Sequence, residues 1–97
     1  METSTIMLRD LPREERPRER MLKYGAQALS HAELLAILLR TGTHSKSAIV
    51  IAQRILGQSG GLRGLADYGI EELIEIKGIG PAKALQLKAA MELGRRI

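Results

Sequence analysis

Ninety-seven residues, 44% of them apolar and 27% charged, fit one globular domain of ordinary balance. The absence of cysteine excludes disulfides, iron–sulfur clusters and thiolate zinc sites, and His31 and His44 alone give little from which to build a catalytic zinc or a histidine-based triad. The net charge of +4 is concentrated: residues 1–76 balance ten Lys/Arg against ten Asp/Glu, whereas residues 77–97 set Lys77, Lys83, Lys88, Arg95 and Arg96 against Glu92 alone.

Residues 1–12 read as an irregular segment, and 13–97 as a helical domain. Pro17 suits the first position of a short helix, Arg18 to Tyr24, which Gly25 stops. Its charged run, Glu14 to Arg20, is expected to face solvent, with Met21 and Leu22 turned inward. Ser30-His31-Ala32-Glu33 is a capping box, flanked by Leu29 and Leu34 at the hydrophobic-staple positions. The helix it opens runs to about Leu39 or Arg40 and is apolar nearly all round, as a central core helix would be. Thr41-Gly42-Thr43-His44-Ser45 breaks the pattern. A further helix is predicted from about Lys46 to Leu56, with Ala48, Ile51, Ala52 and Ile55 on one face. Gly57, Gly60 and Gly61 mark a loop, Leu62 to Ala66 a single turn, and Glu71 to Ile76 a short helix. Gly78-Ile79-Gly80 interrupts, and Pro81 opens a last helix toward Arg96, with Ala84, Leu87, Met91 and Gly94 on one stripe and Lys88, Glu92 and Arg95 on another. The absence of a clear stop after Gly94 suggests a fragment of a longer protein. The sum is an all-α bundle of five or six short helices, with Leu34, Leu38, Ile51, Ile55, Leu73, Ile79, Leu87 and Met91 mostly buried.

Phe and Trp are missing, which argues against base-stacking platforms and β-sandwiches. No apolar run reaches membrane-spanning length, and Glu2, Arg9 and Asp10 bracket too short a patch for a signal peptide, so a cytoplasmic protein without a membrane partner is expected.

The segment Leu73 to Leu87 carries the chemistry. Gly78 and Gly80 can take backbone angles closed to other residues, Ile79 between them can plug a two-helix core, and the amides of the hairpin and helix start then face outward. A helix N-terminus with free N–H groups suits phosphate. Pro81 has no N–H, so Gly80, Ala82 and Lys83 are the better donors, with Lys77 and Lys83 supplying charge. The expected phosphate site is therefore Lys77, Gly78, Ile79, Gly80, Ala82 and Lys83. The reading set against it is a tight helical hairpin whose glycines serve packing only. With Leu73, Ile76, Ala84 and Leu87 around it, the segment resembles the helix-hairpin-helix motif, here spanning about 71–94. That resemblance implies contacts with the backbone of duplex or branched DNA, without sequence specificity. A shift of 36 residues lays Ile37, Gly42, Ala48 and Ile51 on Leu73, Gly78, Ala84 and Leu87, and suggests a degenerate second hairpin at Thr41, Gly42, Thr43 and His44; generic helix periodicity is the alternative.

Leu11 to Gly25 and Leu29 to Thr43 together resemble the N-terminal region of RadC-family DNA repair proteins, which precedes a helix-hairpin-helix. Full-length members continue into a metal-dependent domain of the JAB1/MPN type with a His-x-His and Asp zinc site. This chain has no such motif, so no protease or nuclease activity carries over, and no catalytic residue, metal or cofactor is expected in it. The leading expectation is a non-catalytic DNA-binding module. The alternatives are a module that docks other proteins, including the C-terminal domain of its own full-length protein, and a glycosylase of the helix-hairpin-helix type, which the lack of any Asp after Asp67 opposes.

Overall fold

The structure, a computed structural model, describes residues 16–40 and 45–97. These residues are all-α: six α-helices and one 3-10 turn, with no strand among the described residues. The helices are α1 (Pro17–Tyr24), α2 (His31–Leu39), α3 (Ser45–Ser59), α4 (Leu62–Ala66), α5 (Ile70–Ile74) and α6 (Pro81–Arg95), and the 3-10 turn is Ala26–Ala28. The chain divides into two compact units, Met1–Gln53 and Arg54–Ile97.

In the first unit, Pro17 opens α1 at its first position and Gly25 closes it by donating its N–H to the Met21 carbonyl at 2.8 Å. The capping box of α2 is complete. Ser30 Oγ accepts from the Glu33 N–H at 3.1 Å, and the Glu33 carboxylate accepts from the Ser30 N–H at 2.8 Å. The second oxygen of Glu33 faces Arg20 Nε at 2.8 Å, and Arg20 also donates to the Ala28 carbonyl at 3.1 Å. One glutamate thus caps α2 and ties α1 to it. Arg20 leaves the expected solvated face for this role. Leu22, expected inward, is 86% exposed and Met21 is half-buried, while Pro17 supplies the buried contact of α1.

The buried residues of α2 are Leu35, Ala36 and Leu39 rather than the expected Leu34 and Leu38, which are half-buried. Six consecutive apolar residues from Leu34 to Leu39 carry no helical phase, so packing chooses the face. The polar–apolar pattern of α3 is informative, and Ala48, Ile51, Ala52 and Ile55 are all buried as expected. That helix continues past Leu56 through Gly57 to Ser59. Gly57 costs only about 1 kcal/mol in a helix. The true stop is Gly60, whose φ of +80° lets the Gly61 N–H reach back to the Leu56 carbonyl at 2.9 Å.

In the second unit, α4 has the expected bounds, and α5 spans Ile70–Ile74 rather than reaching Ile76. Glu72 accepts from the Gly69 N–H at 2.8 Å at its start. α5 packs against α6. The buried side chains here are Ile55, Leu65, Leu73, Ile76, Ile79, Ala84 and Leu87. Met91 is half-buried and Gly94 exposed, because the apolar stripe of α6 passes out of the core toward its C-terminus. Two side chains staple the loops: Lys88 Nζ donates to the Tyr68 carbonyl at 2.8 Å, and the Tyr68 hydroxyl to the Gln58 carbonyl at 3.2 Å.

Candidate functional site

The α5–α6 connection is built on a β-turn from Ile76 to Ile79, closed by the Ile79 N–H donating to the Ile76 carbonyl at 3.0 Å. Gly78, its third residue, has φ +98°, and no non-glycine residue among those described has positive φ. That combination is the type II turn, which places glycine at the third position because a Cβ is strained there. Leu73, Ile76 and Ile79, spaced three apart, are buried at 0%, 2% and 4% exposure, so Ile79 anchors the turn in the core as its position between glycines implied.

Gly80 departs from expectation. Its φ of −95° and ψ of −177° are open to any residue, and a Cβ there would meet nothing within 4 Å. Its missing side chain answers no need of the fold. It leaves the N-terminal end of α6 bare. Gly80 caps α6 without a side-chain bond, Pro81 follows at the first helical position, and the first helical bond is Ala84 N–H to the Gly80 carbonyl at 3.0 Å. Among the described residues nothing accepts from the N–H groups of Gly78, Gly80 and Ala82. Lys77, Gly78, Gly80 and Ala82 are exposed and Lys83 is half-buried, so all the expected site residues except the anchoring Ile79 reach the surface, in the turn or at the start of α6.

The basic surplus of residues 77–97 is not a single patch. Arg95 and Arg96 both engage Glu92, at 2.6 and 2.9 Å. Arg95 chiefly, then Arg96, holds the Glu92 carboxyl below the ordinary glutamate value, and Glu92 in turn raises Arg95. This cluster lies about 20 Å along α6 from Pro81 at 1.5 Å per residue. Lys88 is committed to the Tyr68 carbonyl. Lys77 lies in the turn and Lys83 in the first turn of α6, and a cation that sequence spacing did not reveal joins them: Arg54 Nη1 donates to the Lys77 carbonyl at 2.7 Å. Opposing them, Glu71, Glu72 and Glu75 are exposed on and just after α5.

The expected second hairpin, Thr41, Gly42, Thr43 and His44, lies outside the described residues, as does the segment 1–12. On its flanks, Ala48 and Ile51 are buried like Ala84 and Leu87, but Ile37 is only half-buried where Leu73 is fully so. His31 is exposed at the first position of α2. Among the described residues no group of three or more His, Asp or Glu is placed to hold a metal ion, and no helix is long and apolar enough to cross a membrane.

Residues 8–85 match the family described as UPF0758 N-terminal. The chain is 58% identical over 93 residues to a UPF0758 protein of Geobacillus thermodenitrificans, covering 96% of this chain and 41% of the relative. It is 59% identical over 92 residues to one of Moorella thermoacetica, covering 95% and 40%, and 51% identical over 96 residues to one of Caldanaerobacter subterraneus, covering 99% and 41%. The chain therefore spans about two-fifths of the length of these relatives. No solved structure matches it.

Proposed function

From the premise that this chain belongs to the UPF0758 N-terminal family, the RadC-like N-terminal region, we propose that it is a non-catalytic module that binds DNA through backbone phosphates at the α5–α6 connection. The observation that carries the reading is the coincidence at one turn of three amides without acceptors among the described residues, a glycine whose bareness the fold does not require, and exposed Lys77. Amides at a helix start favour anions, and a surface without side chains lets a phosphodiester backbone come close. The short α5 and the longer α6, connected through Gly78-Ile79-Gly80, support a helix-hairpin-helix assignment, and the RadC likeness supports a context in DNA repair. Contacts of this kind position a duplex or branched DNA without reading its bases, so binding is nearly independent of sequence. We assign no catalytic residue, metal or cofactor to this chain. The remaining three-fifths of the relatives leaves room for the JAB1/MPN-type hydrolase domain that the RadC likeness implies.

The test is a titration of labelled duplex and branched DNA at two salt concentrations, with the parent and a Lys77→Glu/Lys83→Glu variant. The variant loses affinity uniformly across sequences, and its salt slope falls by about one to two, at about 0.9 per phosphate contact. Unchanged binding at unchanged helical content rejects the turn as the site.

A second reading rests on a different surface. Leu85, Ala89 and Leu93 recur at i, i+4 and i+8 on α6, with Leu85 59% and Leu93 66% exposed, away from the buried Ala84 and Leu87. An apolar stripe of this kind favours docking of a protein partner, such as the further domain of a full-length protein. Such docking is insensitive to salt, which separates the two readings.

A further inference from the structure

The hydrogen bond from Arg54 to the Lys77 carbonyl acts on the one degree of freedom that decides where the Gly78 amide points. The two middle residues of a β-turn are joined by a peptide group that faces one way in type I turns and the opposite way in type II turns, with the ends of the turn little changed. In this turn that group is Lys77–Gly78. Its carbonyl and its N–H lie on opposite sides of a planar trans peptide, so holding one directs the other. Arg54 Nη1 holds the carbonyl at 2.7 Å from α3, 23 residues earlier in the chain. Arg54 is itself half-buried, and it belongs to the same compact unit as the turn. The Gly78 N–H on the far side of the peptide has no acceptor among the described residues.

We propose that Arg54 is a positioning residue: by holding the Lys77 carbonyl it locks the Lys77–Gly78 peptide in the type II orientation, which presents the Gly78 N–H to a phosphodiester oxygen. The proposal rests on the phosphate-binding reading for its ligand, but not for its geometry. Arg54 directs Nη1 to a carbonyl of its own chain, and the part assigned to it is to preset the amide. A guanidinium does this well, since its planar fork makes a short, charge-assisted bond to a neutral oxygen. Without it, glycine at the third position leaves both peptide orientations accessible.

The experiment compares the parent chain with Arg54→Met, which keeps the bulk of the stem and loses the donor, and Arg54→Lys, which keeps a charged donor. Without DNA, relaxation-dispersion NMR of the Gly78 amide reads the peptide orientation. The expected result is a single sharp state in the parent, exchange broadening in Arg54→Met at unchanged helical content, and partial recovery in Arg54→Lys. With a labelled duplex, Arg54→Met weakens binding by about tenfold, the scale of a lost charge-assisted bond. Its salt slope stays at the parent value, because no phosphate contact is removed. A Gly78 amide that stays sharp and unshifted in Arg54→Met overturns the proposal, as does duplex affinity equal to the parent's. A salt slope lowered by about 0.9 overturns it too, by making Arg54 a direct phosphate contact. Should Arg54→Met unfold, Arg54→Gln, whose shorter uncharged side chain loses the charge-assisted bond, takes its place: broadening of the Gly78 amide supports the role, and a sharp, unshifted amide rejects it. If the parent itself fails to bind DNA, the phosphate reading falls, while the DNA-free measurement still decides whether Arg54 sets the turn.

Discussion

At Gly78 the backbone has φ +98°, where a side chain is strained, whereas at Gly80 it has φ −95° and open space around the missing Cβ. Alanine separates the two. Gly78→Ala is expected to cost about 1–3 kcal/mol, the strain of a side chain held in a sparsely populated region. Gly80→Ala is expected to leave stability within about 0.5 kcal/mol, since it touches nothing in the chain. If Gly80 is bare for the sake of a phosphate backbone, its alanine variant weakens DNA binding while its denaturation midpoint stays put. Chemical denaturation and a DNA titration on the same two variants check both halves. Ile79 gives the third residue-level expectation. It is 4% exposed, so Ile79→Ala is expected to cost about 2–4 kcal/mol of stability. A cost below about 0.5 kcal/mol on the denaturation curve would mean that the turn is not anchored by this side chain.

Whole elements were legible where a residue type has one physical use. Pro17 and Pro81 at first helical positions, the Ser30–Glu33 capping box, and the bounds of α4 were all readable because each rests on local backbone chemistry. The buried face of α3 was readable because polar residues interrupt it. The buried face of α2 was not, since an unbroken apolar run leaves the phase to tertiary packing. The sequence pattern ends α3 near Leu56, three residues early, because a glycine inside a helix and a glycine that ends one look alike until the φ of Gly60 is known. A fourth prediction belongs at this scale. A Cβ on Gly64 in α4 would run into the carbonyl of Ser59, a backbone atom with little room to yield. Gly64→Ala is therefore expected to destabilise the chain by about 1–3 kcal/mol, as overpacking does. Thermal unfolding of that variant against Gly57→Ala, where nothing lies within 4 Å, isolates the clash from helix propensity.

Across the molecule, charge is distributed by structure rather than by sequence window. The last 21 residues hold the whole net charge, yet the Arg95–Glu92–Arg96 cluster belongs to the C-terminus of α6, and Lys77 and Lys83 to the region of its start. The turn gains Arg54 instead, through a bond 23 residues apart in sequence, for which no local pattern exists. The candidate site was therefore readable in its glycines, lysines and anchoring isoleucine, and hidden in the residue that orients it. The C-terminal cluster has a pH signature. Glu92 is held below the ordinary glutamate value by Arg95 and Arg96, so its contribution is present above that value and is lost as pH falls through the depressed one. Carboxyl NMR is expected to show the Glu92 midpoint rising when both arginines become alanine, with no change at the α5–α6 connection.

Phosphate binding at the α5–α6 connection is open to a direct check, an amide-resolved NMR titration of the parent chain with a short duplex at low salt. The Gly78, Gly80 and Ala82 amides are expected to shift together and saturate with the DNA, and added salt is expected to reverse the shifts. If those three amides stay still at saturation while Leu85, Ala89 and Leu93 move, the α5–α6 connection is not the DNA site.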